Sequence, residues 1–267
     1  MATQVEAFYD DFSRRFVEDI VQGNERIAQQ LNFFAKAIPS DAQRILVIGS
    51  GSGQGAYFIA TRVVRSATIL AVDISGENLG IARTIFPHPR IEYRKADITT
   101  CALAGDWDVI VLPDVYEHIP IEARPTLHST FNRLLTSRGK ILFTVPSPGK
   151  QLSLKESGQG LQVIDEIVSL EDLNKVAIDV DGTLTYFSTI SVWETNDYIH
   201  AVVERGAEYV KPIGESDLLP IKGWPRQSFL ARGWNMIGNR FLLFQVLQSW
   251  RRKRLRKQLT SDSIRTA

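Results

Sequence analysis

The sequence predicts an α/β fold: a doubly wound, mostly parallel seven-stranded sheet with an antiparallel C-terminal hairpin strand, N-terminal lid helices and a basic C-terminal helix. Three observations predict it. The apolar run Ile45-Leu46-Val47-Ile48 passes straight into the alternating glycines Gly49, Gly51 and Gly53. Strand-like and helix-like segments then alternate, as parallel strands joined by right-handed crossovers require. Finally, Asp73, Asp97 and Asp114 each stand at or near the end of an apolar strand, where ligands of such sheets bind.

Residues 5–36 place Phe8, Phe12, Phe16, Ile20, Ile27, Leu31 and Phe34 near helical spacing, so they read as one or two amphipathic helices. Strands are expected near 44–48, 68–72, 90–95, 108–112 and 139–145. Helices are expected near 53–65, 76–85 and 122–136, with Gly139 breaking the last of them. Val145-Pro146-Ser147-Pro148-Gly149 stops the fifth strand and opens a loop. A short helix fits 169–177. Two alternating segments, 183–193 and 198–204, then flank an Asn196-Asp197 turn and form an antiparallel hairpin at the sheet edge. Residues 206–225 hold scattered Gly and Pro and read as a linker; 226–258 read as a helix. The expected organisation is therefore a helical lid over 1–43, a Rossmann-like domain over 44–205, and a linker with a basic amphipathic helix over 206–267.

Length and composition bound the function. The chain has 267 residues, 44% of them apolar, enough for one large domain with additions. Its net charge of +1 is unevenly spread: residues 221–267 hold 11 basic side chains and one acid, Asp262, on an otherwise acidic chain. A single cysteine, Cys101, excludes an internal disulfide and a cysteine-built zinc site. The N-terminus lacks the pattern of a signal peptide, and no apolar stretch approaches the ~20 residues of a spanning helix. A cytoplasmic location is the expectation, with membrane association as one alternative that depends on the C-terminal helix. No pair among the four histidines, His88, His118, His128 and His200, has helical metal-ligand spacing with a third ligand, so no metal is expected.

Asp73 lies 20 residues past Gly53, at the end of the second strand, where a carboxylate accepts ribose hydroxyls. Asp97 is placed to accept an adenine amine, with Ile98 against the ring. A dinucleotide loop wants Gly-x-Gly-x-x-Gly, whereas these glycines alternate as Gly-x-Gly-x-Gly. With Asp73, Asp97 and the segment Asp108-Val-Ile-Val-Leu-Pro-Asp-Val-Tyr-Glu-His-Ile119, that pattern resembles the class I S-adenosylmethionine-dependent methyltransferases, in the branch carrying a Glu-His pair. The resemblance covers about residues 44–205. It implies S-adenosylmethionine as cofactor, held by Gly49, Ser50, Gly51, Gly53, Asp73, Ile74, Asp97, Ile98, Leu112 and Pro113; the Phe8–Ser13 segment also resembles the family's lid helices, with Tyr9 as a further contact, an amphipathic core helix being the alternative. There is one departure: Val47 stands where the family usually has an acid, so any contact that acid makes with the methionine amino group must come from elsewhere or be lost.

Methyl transfer from a sulfonium is an in-line displacement that needs alignment and exclusion of water, and a hydroxyl acceptor needs a base. His118 is the first candidate base and Asp114 the second; Tyr116 is placed to position the acceptor. His118 has the alternative of capping or orienting its loop, and Tyr116 of packing. The expected reaction is O-methylation of a small or glycan-like acceptor, with bacterial cell-surface sugar modification as the family-level likeness. N- or C-methylation of a small metabolite, a non-catalytic binding module and a dinucleotide-dependent oxidoreductase are the alternatives.

Val176-Ala-Ile-Asp179-Val-Asp181-Gly-Thr183 imitates the nucleophile motif of haloacid-dehalogenase-type phosphatases. That motif opens a Rossmann-like domain, and only 84 residues follow Thr183, so the reading is rejected. The C-terminal stripe Trp234, Ile237, Phe241, Phe244, Leu247, Trp250 and the cluster Arg251–Lys257 suit an anionic membrane surface, packing on the body or on a second subunit of a homodimer, or unspecific phosphate contacts; no specific nucleic acid is expected.

Overall fold

A computed structural model describes residues 2–158, 160–206 and 253, apart from the side chains of 2, 3, 11, 12 and 14–18. The expected linker and C-terminal helix, with its apolar stripe and all but one residue of the basic cluster, lie outside the described residues, as do the side chains of Phe12 and Phe16.

Two helices open the chain: α1 (Ala2–Gln22) and α2 (Glu25–Ala37). Asn24 caps α2 by accepting from Arg26 N, and Gly23 between the helices adopts a left-handed φ of +80°. The sheet strands are β1 (Arg44–Ile48), β2 (Thr68–Asp73), β3 (Ile91–Lys95), β4 (Trp107–Pro113), β5 (Leu135–Pro146), β6 (Gly182–Ile190) and β7 (Tyr198–Arg205). The remaining helices are α3 (Gln54–Phe58), continued by a π-helical turn Ile59–Val63, α4 (Gly76–Ile85), α5 (Arg124–Leu134), α6 (Pro148–Ser157) and α7 (Leu170–Asp179).

Strand order is β3-β2-β1-β4-β5-β7-β6. The β1–β2, β1–β4, β2–β3 and β4–β5 pairs are parallel, and β7 is antiparallel to both neighbours. The order reverses between β1 and β4, so the crevice beyond their carboxyl ends is where a ligand fits. The sheet is covered on both faces. One core cluster gathers Leu46, Ile110, Phe131 and Val176; the other gathers Leu31, Phe34, Ile45 and Phe58. Helix α2 is thus part of the domain core, its Leu31, Phe33 and Phe34 buried.

The structure departs from the sequence reading at four places. Helix α5 ends at Leu134 and β5 begins at Leu135, so Gly139 lies inside the strand. A Cβ there would stand 2.8 Å from Leu135 Cδ2 and 3.0 Å from the Trp107 carbonyl oxygen, at the register shift between β4 and β5. The expected loop after Pro146 contains helix α6, with Ser147 as its N-cap and Pro148 in its first turn, the position where proline is tolerated. Strand β6 stops at Ile190; Asp197 then accepts backbone N–H groups from Val192, Trp193 and Glu194, which holds 191–197 as a built loop, wider than a tight turn. His200 is not on an edge strand, because β7 inserts between β5 and β6.

Candidate active site

A cavity of about 460 Å³ opens at the carboxyl ends of β1, β2 and β4, between these strands, helix α1 and the 162–164 segment. Its first wall is the loop after β1. Gly49 takes φ +68°, and a Cβ on it would stand 2.2 Å from Val115 Cγ2. Gly53 takes φ +82° as the N-cap of α3, and a Cβ there would stand 2.7 Å from Ala82 Cβ. Both positions therefore require glycine for backbone and packing reasons. Gly49, Ser50 and Gly51 line the cavity, but Gly53 does not. The expectation of Gly53 as a cofactor contact is corrected: it packs backwards on α4 and β3.

Asp73 is buried at the end of β2 and faces this loop. Its Oδ2 accepts from Gly51 N at 2.7 Å and its Oδ1 from Ser75 N at 2.9 Å. Burial pushes its pKa up, and these N–H groups pull it back. The Asn78 side chain also donates to this carboxylate, so its oxygens are largely held by the protein. Ile74, Asp97 and Ile98 line the same end of the cavity. Asp97 Oδ1 accepts from Thr99 N at 2.9 Å and Thr99 Oγ1 at 2.6 Å, which fixes that carboxylate.

Helix α1 runs over this end. Asp10 accepts from Ser75 Oγ at 2.5 Å and from Glu77 N at 3.3 Å, and Glu6 pairs with Lys95. Tyr9, in the cavity wall, donates to Gln162 Oε1 at 2.6 Å and meets the His118 ring edge-on at 6.3 Å. Burial, followed by the charges of Glu117, Asp73 and Asp165, drives the Tyr9 hydroxyl well above its ordinary pKa.

The opposite end is built from charged side chains. Asp114 takes φ +53° just after β4. Its carboxylate pairs with Arg26 and accepts from Gln30 Nε2 at 3.3 Å and Thr144 Oγ1 at 3.2 Å. Burial works against the Arg26 charge, but facing Asp114 holds that guanidinium above its ordinary pKa. Three donors thus make Asp114 a structural anchor. It lines the cavity, as Pro113 does, but its place as a second base is weakened by these commitments.

His118 lies on the short 3-10 turn Tyr116–His118. Its Nδ1 is 2.7 Å from the Ile164 carbonyl oxygen, which can only accept, so Nδ1 carries the proton and Nε2 the lone pair. Asp165 Oδ1 stands 3.4 Å from the same Nδ1. Burial lowers the His118 pKa, opposed by the Ile164 bond and by Asp165 and Asp114, and the net shift is downward. The ring is therefore neutral at pH 7; His118 lines the cavity, and its Nε2 stands 3.7 Å from Glu117 Oε1.

Two expected residues leave the site. Tyr116 is fully buried; its hydroxyl is 2.8 Å from His128 Nε2, and His128 Nδ1 donates to Asp179 Oδ2 at 2.7 Å. It anchors the turn to α5 and α7 and is not among the residues lining this cavity. The reason is local: side chains on a 3-10 turn diverge by about 120° per residue, so Tyr116 and His118 point to different sides. Leu112 is wholly inside the core between β1 and β5, because alternate residues of β4 face opposite sides of the sheet. Asp179 ends a helix and serves His128, which disposes of the phosphatase-like motif in structural terms.

Arg26, Gln30, Glu117, Gln162, Ile164 and Asp165 belong to the site or its immediate support without having been singled out as site residues from sequence. Gln30 had a usable signal, as a polar residue on the apolar stripe Ile27–Leu31–Phe34. The 162–165 segment had none.

Residues 45–139 match a family described as a methyltransferase domain. No curated protein matches the chain. Among solved structures, magnesium protoporphyrin IX methyltransferase of Synechocystis, with bound S-adenosylhomocysteine, is 16% identical with a TM-score of 0.60, over 76% of this chain and 99% of that one. DhpI with bound S-adenosylhomocysteine is 14% identical, TM-score 0.60, over 78% and 98%. The N-methyltransferase NodS of Bradyrhizobium japonicum, also with S-adenosylhomocysteine, is 13% identical, TM-score 0.58, over 75% and 100%. At these identities the structures show a shared fold, and the family match indicates a methyltransferase domain over residues 45–139.

Proposed function

We propose that this chain, a class I S-adenosylmethionine-dependent methyltransferase by its domain and fold, methylates a hydroxyl oxygen of a small or glycan-like acceptor. The observation that carries the reading is the tautomer of His118. The Ile164 carbonyl fixes the proton on Nδ1, so Nε2 is a base at the cavity wall. A hydroxyl nucleophile needs one.

The residues present fit the cofactor. Gly49 and Gly51 bring bare backbone to the cavity, Asp73 presents a carboxylate held in place by Gly51, Ser75 and Asn78 for ribose hydroxyls, and Ile74 and Ile98 offer apolar walls to a purine. At the other end, Arg26 and Asp114 supply a cation and an anion for a methionine carboxylate and ammonium. Arg26 Nε is enclosed without a hydrogen-bond partner among the described residues. This pair takes over the charge that Val47 leaves out of β1. When bound, S-adenosylmethionine supplies an electrophilic methyl carbon. The protein aligns the acceptor, excludes water beneath α1, and receives the acceptor proton at His118 Nε2.

Calorimetric titration with S-adenosylmethionine and S-adenosylhomocysteine tests the cofactor half. Wild type is expected to bind both, with Asp73→Asn weakened roughly 10- to 100-fold, as the loss of two charge-assisted hydrogen bonds predicts. Absence of binding to either would overturn the reading. The basic run at 251–257 we assign to an anionic membrane surface carrying the acceptor. Neutralising those residues is expected to abolish binding to phosphatidylglycerol vesicles, and unchanged binding would remove that assignment.

A further inference from the structure

Both acceptors that face His118 Nδ1 come from one stretch of chain: the Ile164 carbonyl at 2.7 Å and Asp165 Oδ1 at 3.4 Å. Across the ring, Glu117 Oε1 stands 3.7 Å from Nε2 and offers the opposite tautomer an acceptor. Residues 161–169, between α6 and α7, form neither helix nor strand, so other elements and side chains must place their backbone groups. Glu166 is held from two sides. Its N–H donates to the Glu117 carbonyl at 2.8 Å, which lays the stretch along the His118 turn. Its carbonyl accepts from Gln151 Nε2 at 2.5 Å, while Gln151 Oε1 accepts from Val168 N at 2.9 Å. Gln151 belongs to α6, is 3% exposed, and is not among the residues lining the cavity. A polar side chain at that depth needs both halves of its amide matched, and here both are spent on this one stretch.

We propose that Gln151 is the positioning residue of the base: by gripping Glu166 and Val168 it aims the Ile164 carbonyl at His118 Nδ1, and so keeps the lone pair on Nε2. The inference rests on the reading of His118 as the base. An amide carries a donor and an acceptor at a fixed spacing, which matches a carbonyl and an N–H two residues apart on the same stretch. An apolar side chain of equal length fills the space and grips neither. Once the grip is lost, Ile164 and Asp165 leave Nδ1 together, because they are adjacent in the chain. The proton then passes to Nε2, toward Glu117, and a ring protonated at Nε2 cannot receive a hydroxyl proton there.

The test uses the full chain with isotopically labelled histidine, and reads the two ring nitrogens of His118 by NMR at about pH 8, where the ring is neutral. The signal is assigned by its loss in His118→Gln. Wild type is expected to show one species, protonated at Nδ1. Gln151→Met, nearly equal in length and volume, is expected to lose that single species and show the proton on Nε2. Gln151→Glu carries the same test should Gln151→Met not fold: an ionised carboxyl accepts from Val168 N but cannot donate to the Glu166 carbonyl, so the same shift is expected. A folded variant with a lower urea midpoint and its proton still on Nδ1 would make Gln151 a structural residue only and overturn the positioning role alone. Wild type with its proton on Nε2 would instead remove the base reading, and the positioning role with it.

Discussion

The two ends of the cavity are built on opposite plans. The end formed by the β1 loop and Asp73 is made of backbone: left-handed glycines, amide groups and one carboxylate joined to them within about 25 residues of chain. The end formed by Asp114 and His118 is made of side chains and carbonyls drawn from α2, β5, the loop after β4 and the 162–165 segment, with Tyr9 of α1 closing over it onto Gln162. The first plan suits a ligand common to many enzymes, because backbone geometry is insensitive to most substitutions. The second plan joins the Arg26–Asp114 pair, proposed above for the cofactor's methionine end, to His118, the base proposed for the acceptor, and each contact there is set by a separate residue.

That contrast can be broken most severely at His118. His118→Gln is expected to lower kcat by 10² to 10⁴, the usual worth of a positioned base, with little change in cofactor affinity. The pH profile sharpens the point. A base acts when deprotonated, and burial sets the His118 pKa below its ordinary 6.5, so kcat is expected to stay flat through pH 7 and to fall only on the acid side of 6.5. A rate that rises steeply above pH 7 would sink the assignment.

At the backbone-built end the corresponding break is structural. Gly49→Ala forces a Cβ into Val115 at a left-handed φ, and should destabilise the fold by about 2–5 kcal/mol while abolishing cofactor binding. Urea denaturation with parallel titration measures both. A protein of normal stability would show that Val115 yields.

A pH effect on stability comes next. Burial pushes the pKa of His200, stacked on Phe33 at a centroid distance of 4.6 Å, down to about 3. The unfolded imidazole takes a proton near 6.5, so between these values the unfolded state binds more protons and stability falls as pH falls. At pH 5 this amounts to about 2 kcal/mol, and His200→Phe should flatten the slope. An unchanged slope would place the acid sensitivity elsewhere.

The smallest effect is expected at Tyr116→Phe. It removes one hydrogen bond to His128, worth about 1 kcal/mol, and should leave kcat as in wild type. A loss of rate beyond 10-fold would return Tyr116 to the site.

By itself the sequence determined the seven strands in order and every helix but α6, the glycine turn, and the places of Asp73 and Asp97. These follow from short-range rules: apolar runs end where turns begin, and left-handed φ values demand glycine. It also placed His118 beyond β4, although it put Tyr116 on the same side. Only the tertiary structure decided that Tyr116 faces the core, that Gly53 packs on α4 and β3, and that β7 lies inside the sheet. Only it, too, brought Arg26 and Gln30 against Asp114 and the Ile164 carbonyl against His118. The physical reason is that side-chain direction on a one-turn helix and contacts across 46 to 88 residues depend on how layers pack, which no local pattern encodes.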